Sequence, residues 1–112
     1  MRTAISTDGD RVAPHFGRCE AYTIVDIQET KVASREQIPN PGHEPGFLPG
    51  YLAERGVECI VAGGMGPRAQ MLFDQQRIQT IVGVSCSIDE AIEGLRQGSL
   101  AGGATTCDHV DS

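Results

Sequence analysis

The chain has 112 residues, a formal net charge of −6, a pI near 4.9 and 39% hydrophobic residues, with few aromatics and no tryptophan. That size suits one domain around one aliphatic core. The acidic balance argues against a nucleic-acid surface or an acidic membrane as partner, so an anionic ligand would have to be held locally, by backbone amides and a few arginines.

Thr3-Ala4-Ile5-Ser6-Thr7 reads as a first strand, broken by the turn residues Asp8-Gly9-Asp10. A loop through Pro14-His15-Phe16-Gly17-Arg18 follows. Glu20 to Ile27 is rich in β-formers and apolar on both faces at its centre, which predicts an inner strand. Lys31 to Ile38 is strand-like but carries charges typical of an edge. Pro39 to Pro49 holds four of the six prolines and is predicted to be a loop. Gly50 to Arg55 predicts a short helix closed by Gly56. A buried strand over Val57–Ala62, a helix over Pro67–Gln76 and a strand over Ile78–Val84 come next. Ser87-Ile88-Asp89-Glu90 is a capping box opening a third helix, with Ile88, Ala91, Ile92 and Leu95 on one face and Gly98 at its end.

The resulting order is β-β-β-α-β-α-β-α. Three strands joined by a loop and a tight turn predict an antiparallel meander. The later β-α-β units require parallel, right-handed crossovers. One mixed five-stranded sheet in an α/β fold satisfies both. Residues 1–98 are expected to form a single domain and 99–112 a flexible tail. No apolar run approaches the roughly 20 residues of a membrane span, and Met1-Arg2 leads directly into the first strand without a signal peptide, so a cytoplasmic location is expected. Cys19, Cys59, Cys86 and Cys107 form no C-x-x-C pair and are expected to be thiols, not a disulfide framework.

The residues richest in chemistry lie in loops. Ala62-Gly63-Gly64-Met65-Gly66-Pro67-Arg68 joins an apolar strand to a helix start. Exposed amides and the positive end of the helix dipole would favour an anion there, and Arg68 adds a cation in the first turn. The same glycines also suit a tight turn with no ligand. If the first, fourth and fifth strands run parallel, the loops Ser6–Arg18, Gly63–Arg68 and Gly83–Ser87 should meet outside their carboxyl ends. Their candidate groups are Arg11, His15, Arg18, Arg68 and Cys86. His15 is either a metal ligand or a surface histidine. Arg18 either clamps an anion or pairs with Glu20. Cys86, just before a helix cap, is either an activated thiol or a small packed filler. Cys107-Asp108-His109 could add ligands if the tail folds over the site, and His43 is a weaker candidate. Cys59 reads as core.

Several enzyme classes fail on residue content. The glycine corner lacks the lysine and hydroxyl of a P-loop, and no G-x-S-x-G elbow is present. The strand ends cannot assemble a two-metal carboxylate cluster, and no base is evident beside Cys86. A non-enzymatic role is expected.

Pro14-His15-Phe16-Gly17-Arg18, Gly46-Phe47-Leu48-Pro49, Gly56-Val57-Glu58, Ala62 to Ala69 and the closing Cys107-Asp108-His109 together resemble the dinitrogenase iron–molybdenum cofactor biosynthesis family. That family includes NifX-type carriers, the C-terminal domain of NifB-type proteins and orange-protein-type members. The resemblance covers nearly the whole chain in order. It implies a ribonuclease-H-like three-layer fold without nuclease activity. It also implies a protein that binds or carries an anionic metal–sulfur cluster containing molybdenum and iron or copper, in cofactor assembly or storage. It carries a site role onto His15, Gly63, Gly64 and Gly66, and the cofactor-binding residues expected in all are His15, Phe16, Gly17, Arg18, Gly63, Gly64, Met65, Gly66 and Arg68. Candidate metal ligands are His15, Cys86, Cys107 and His109. Expected partners are cofactor-assembly proteins or an iron–sulfur ATPase of the Mrp/MinD kind, with the chain a monomer or weak dimer. The alternative is a metal-free adaptor that docks to such an ATPase.

Overall fold

Alternating side chains along the inner strands of a six-stranded mixed sheet feed two separate apolar layers, one on each side. The computed structural model describes residues 1–42 and 47–98. Its strands are β1 (Arg2–Asp8), β2 (Arg11–Val12), β3 (Ala21–Gln28), β4 (Lys31–Pro39), β5 (Cys59–Val61) and β6 (Gln79–Ile81). Its helices are α1 (Phe47–Glu54), α2 (Pro67–Gln75) and α3 (Ile88–Gln97). The sheet order is β4-β3-β1-β5-β6, with β2 paired to β1 off this path. β1, β3 and β4 form an antiparallel meander, while β1, β5 and β6 run parallel.

β1 is central, and Thr3 to Thr7 are buried on both faces. Ala4, Tyr22, Ile24 and Ile60 face α1 and α2, where they pack with Leu48, Leu52, Ala69 and Phe73. Ile5, Val25, Ile27, Cys59, Val61 and Ile81 face α3 and pack with Ile88, Ala91 and Ile92. The molecule is therefore three layers, helix–sheet–helix. β4 is an edge strand exposed along almost its whole length, as its charges predict. Among the described residues no helix is long and apolar enough to cross a membrane.

The local signals for the helices match the structure closely. Ser87 Oγ accepts from the Glu90 amide, the Glu90 carboxylate accepts from the Ser87 amide, and Gly98 ends α3 in the left-handed conformation. α1 begins earlier than Gly50, at Phe47. Pro49 is tolerated because it falls in the first turn, where a missing N–H costs no intrahelical bond. β5 and β6 are shorter than their apolar runs. At their carboxyl ends the chain leaves the ladder, and its amides pair with neighbouring loops instead. The structure also adds β2 and a 3-10 turn over Phe16–Arg18 within the loop after β1. His43 and the segment 99–112, with Cys107 and His109, lie outside the described residues.

Those loops are fastened to one another by backbone hydrogen bonds. Ala13 N donates to Ser6 O (2.7 Å), Gly63 N to Ala13 O (2.9 Å), Phe16 N to Gly64 O (3.0 Å) and Gly83 N to Gly63 O (2.9 Å). The contact between the first two loops is very close. A Cβ on Gly63 would stand 2.8 Å from Pro14 Cα and 2.9 Å from Ala13 O, and one on Gly64 would stand 3.0 Å from Pro14 O. Only glycine permits this approach.

Buried thiols and hydroxyls lie between the strands. Cys19 and Cys59 are free thiols. Burial pushes Cys59 up from its ordinary 9.0 to about 11. The hydroxyls of Thr3 and Ser6 lie beside the Cys59 and Cys19 thiols, but neither makes a hydrogen bond of good geometry.

Two expectations follow from this packing. Above its unfolded value, Cys59 keeps its proton in the folded state while the unfolded chain loses it. Its contribution is complete below about pH 9 and is lost as pH rises toward 11, amounting to about 2–3 kcal/mol. Urea unfolding from pH 7 to 11 should show this decline, and Cys59→Ala, though less stable at pH 7, should decline less steeply. Gly63→Ala should cost about 1–3 kcal/mol in the same assay, because backbone has to move. Gly17→Ala, where nothing lies within 4 Å of the added Cβ, is the control and should cost less.

Candidate functional site

The crossing of the two loops leaves an open cleft of about 750 Å³ at the carboxyl ends of β1 and β5. His15, Phe16, Gly17 and Arg18 form one wall. Gly64, Met65, Gly66, Arg68 and Ala69 form the other. Phe16 anchors the first wall in the core. Its ring meets Phe73 edge-on with centroids 5.0 Å apart and lies 6.0 Å from Tyr22. The second wall is the start of α2, with Gly66 at the N-cap, no side-chain cap and Pro67 in the first turn.

Three features of this cleft bear on its chemistry. The exposed side chains of His15, Arg18 and Arg68 make no hydrogen bond or ion pair among the described residues. In particular, Arg18 does not pair with Glu20, whose carboxylate accepts from the Gly9 amide instead. By contrast Arg2, Arg35 and Arg96 each form an ion pair. Second, the amides of Gly64, Met65, Gly66, Arg68 and Ala69 donate no hydrogen bond among the described residues. Several belong to the uncapped start of a nine-residue helix, where the dipole is positive. Third, Phe16, Met65 and Ala69 give the cleft apolar surface. Cationic groups, free amides and apolar surface together suit a bulky, weakly hydrated anion. Among the described residues no three His, Cys, Asp or Glu side chains converge as a metal-holding group.

Of the residues expected at a site, the structure brings His15, Phe16, Gly17, Arg18, Gly64, Met65, Gly66 and Arg68 together. Gly63 stands behind them, filling the contact with Pro14. It opens instead onto a smaller cleft of about 380 Å³ with Arg11, Val12, Pro14, Gly83, Val84 and Ser85. The expected convergence of three loops is thus two clefts divided by the Pro14–Gly63 contact. Cys86 belongs to neither. It is 2% exposed in the apolar layer under α3, and its carbonyl accepts from the Val12 amide. It is also disulfide-bonded, which corrects the expectation of a free thiol there. Ala69 also lines the cleft but was not among the expected site residues, although its place one turn into a helix opened by Gly66-Pro67 could have marked it.

Residues 1–98 match the family model described as dinitrogenase iron-molybdenum cofactor. An uncharacterized protein of Methanocaldococcus jannaschii is 35% identical over 105 residues, which span 89% of each chain. The crystal structure of PH0822 shares the fold with a TM-score of 0.84 and 32% identity, over 89% of this chain and 92% of that one. The apo orange protein of Desulfovibrio gigas aligns with a TM-score of 0.76 and 24% identity over 92% of each chain, a likeness of fold. The chain belongs to the dinitrogenase iron-molybdenum cofactor family.

Proposed function

We propose that this protein is a non-enzymatic carrier of an anionic metal–sulfur cluster, of iron–molybdenum or molybdenum–copper type, in cofactor assembly or storage. The cluster is cargo, held in the His15–Arg18 and Gly64–Ala69 cleft. The observation that carries the reading is the set of donors uncommitted among the described residues, on opposite walls: Arg18 and Arg68 without ion-pair partners, and the amides of Gly64, Met65, Gly66, Arg68 and Ala69 without acceptors. Family membership supports a cofactor-related binding role. The β4-β3-β1-β5-β6 order supports a ribonuclease-H-like reading of the fold. We read residues 1–98 as the carrier domain, the location as cytoplasmic, and the partners as cofactor-assembly proteins or an iron–sulfur ATPase.

The chemistry is mainly outer-sphere, with His15 the candidate direct ligand. Sulfide edges of a cluster accept hydrogen bonds from amides and guanidinium groups, and its bulk rests on Phe16 and Met65. Among the described residues His15 is the one imidazole in the cleft, and it can bind a metal through a ring nitrogen. With few direct ligands, the cargo can leave without breaking several metal–thiolate bonds.

Anaerobic incubation with tetrathiomolybdate, with and without copper, followed by desalting, tests this. Stoichiometric visible colour and molybdenum should stay with the protein. Arg18→Ala and Arg68→Ala should each weaken retention about tenfold or more, and more so at low salt. His15→Ala should weaken it as well. A colourless, metal-free wild-type protein would overturn the carrier reading.

A further inference from the structure

The cleft wall Phe16–Arg18 is a single 3-10 turn without a side-chain cap. What sets its shape lies behind it, in residues that do not touch the cleft. The Tyr22 hydroxyl, on a fully buried side chain in β3, donates to Phe16 O at 2.9 Å. The Cys19 thiol donates to the same carbonyl at 3.4 Å. Asn40, just past the end of β4, reaches the other end of the turn. Its Nδ2 donates to Cys19 O at 2.8 Å and approaches Gly17 O at 3.4 Å. The backbone amide of Asn40 donates to Glu20 O (3.0 Å), and its Oδ1 accepts from the Gly42 amide (2.8 Å). Three carbonyls of one short segment are thus held from behind by two side chains of the β3–β4 hairpin and one neighbouring thiol.

We propose that Tyr22 and Asn40 are positioning residues, which fix the turn so that Gly17 and Arg18 face the opposite wall of the cleft. The part concerning ligand binding rests on the carrier reading above. A turn carrying one long cationic side chain loses precision when its carbonyls are released, because each free carbonyl can rotate toward water. Asn40 is well suited to the task. It spends both ends of one amide, a donor on the turn and an acceptor on the segment that follows β4.

The two roles of Asn40 separate by substitution. Asn40→Asp keeps an acceptor for Gly42 but sets a carboxylate against the Gly17 and Cys19 carbonyls. Asn40→Ala removes both interactions. Tyr22→Phe deletes only the buried hydroxyl and serves if the Asn40 variants fold poorly. Amide hydrogen exchange at Arg18 is read in the unliganded proteins, with the Ile60 amide as the core reference. Affinity for tetrathiomolybdate and the visible circular dichroism induced in the bound anion are then measured.

Relative to Ile60, Arg18 exchange should quicken about tenfold in Asn40→Ala and at least as much in Asn40→Asp. Tyr22→Phe should act in the same direction. Affinity should fall about tenfold, and the induced dichroism should change shape. Arg18 exchange within twofold of wild type in all three variants would overturn the proposal. So would wild-type behaviour of Asn40→Asp beside a defective Asn40→Ala, which would assign Asn40 to Gly42 alone. If wild-type protein retains no tetrathiomolybdate, the carrier reading fails, and the exchange result by itself decides whether the turn is held as described.

Discussion

The site depends on one close contact, the passage of Ala13 and Pro14 across Gly63 and Gly64. β1 and β5 are parallel neighbours, so their carboxyl ends deliver two loops to the same place, a strand spacing of about 4.8 Å apart. Two ordinary loops would splay away from each other there. These two instead join backbone to backbone, through Gly63 N to Ala13 O and Phe16 N to Gly64 O. Neither bond forms at that distance with a Cβ in between. The wall carrying His15 and Arg18 and the wall carrying Met65 and Arg68 are therefore registered by peptide groups, with the packing of Phe16 on Phe73 beneath them. Rigid registration of this kind is what a binding site needs from its supporting shell.

The same contact resolves an apparent conflict in charge. A protein of net charge −6 does not attract anions through its overall field. Three arginines outside the cleft are paired, Arg2 to Asp26, Arg35 to Asp89 and Arg96 to Glu93, while Arg11, Arg55 and Arg77 form no ion pair among the described residues. At the cleft the acidic side chain nearest in sequence, Glu20, is occupied by the Gly9 amide, which leaves Arg18 free. A turn at Asp8-Gly9-Asp10 thus has a consequence for the electrostatics of the cleft. Free cations and free amides within a small, partly apolar volume act at short range, where screening by salt and by the distant acidic groups is weakest.

Much of this was legible from local sequence. Short runs rich in β-formers, bounded by turn residues, gave β1 and β3, charge gave the exposed β4 edge, and the Ser87–Glu90 box gave the start of α3. These signals act over a few residues and their physics is local. The glycine corner and the Pro14–Arg18 loop were also legible as candidate halves of a site, because glycine, proline and arginine have few structural reasons to cluster. What escaped was tertiary. β2 exists only because Arg11 and Val12 fold back on β1. Gly63 was read as cleft surface, whereas its lack of a side chain serves the contact behind the cleft. Cys86 precedes a helix cap, a setting that would activate a thiol. Yet the cap's own Ser87 and Glu90 satisfy the amides there, and the side chain turns into the layer beneath α3. Asn40 carried no signal in a proline-rich stretch, since its partners are carbonyls brought to it by the β3–β4 hairpin.

The chemistry beneath the cleft separates shape from charge. Desolvation holds the Cys19 thiol and the Tyr22 phenol above their ordinary values, so both keep their protons throughout the neutral range. Each donates that proton to the Phe16 carbonyl, and neither donation is lost to titration near neutral pH. Asn40 does not titrate at all. The scaffold of the turn is therefore insensitive to pH throughout the neutral range. Any pH dependence of binding has to originate at the surface of the cleft, in the ligand or in the residues that touch it.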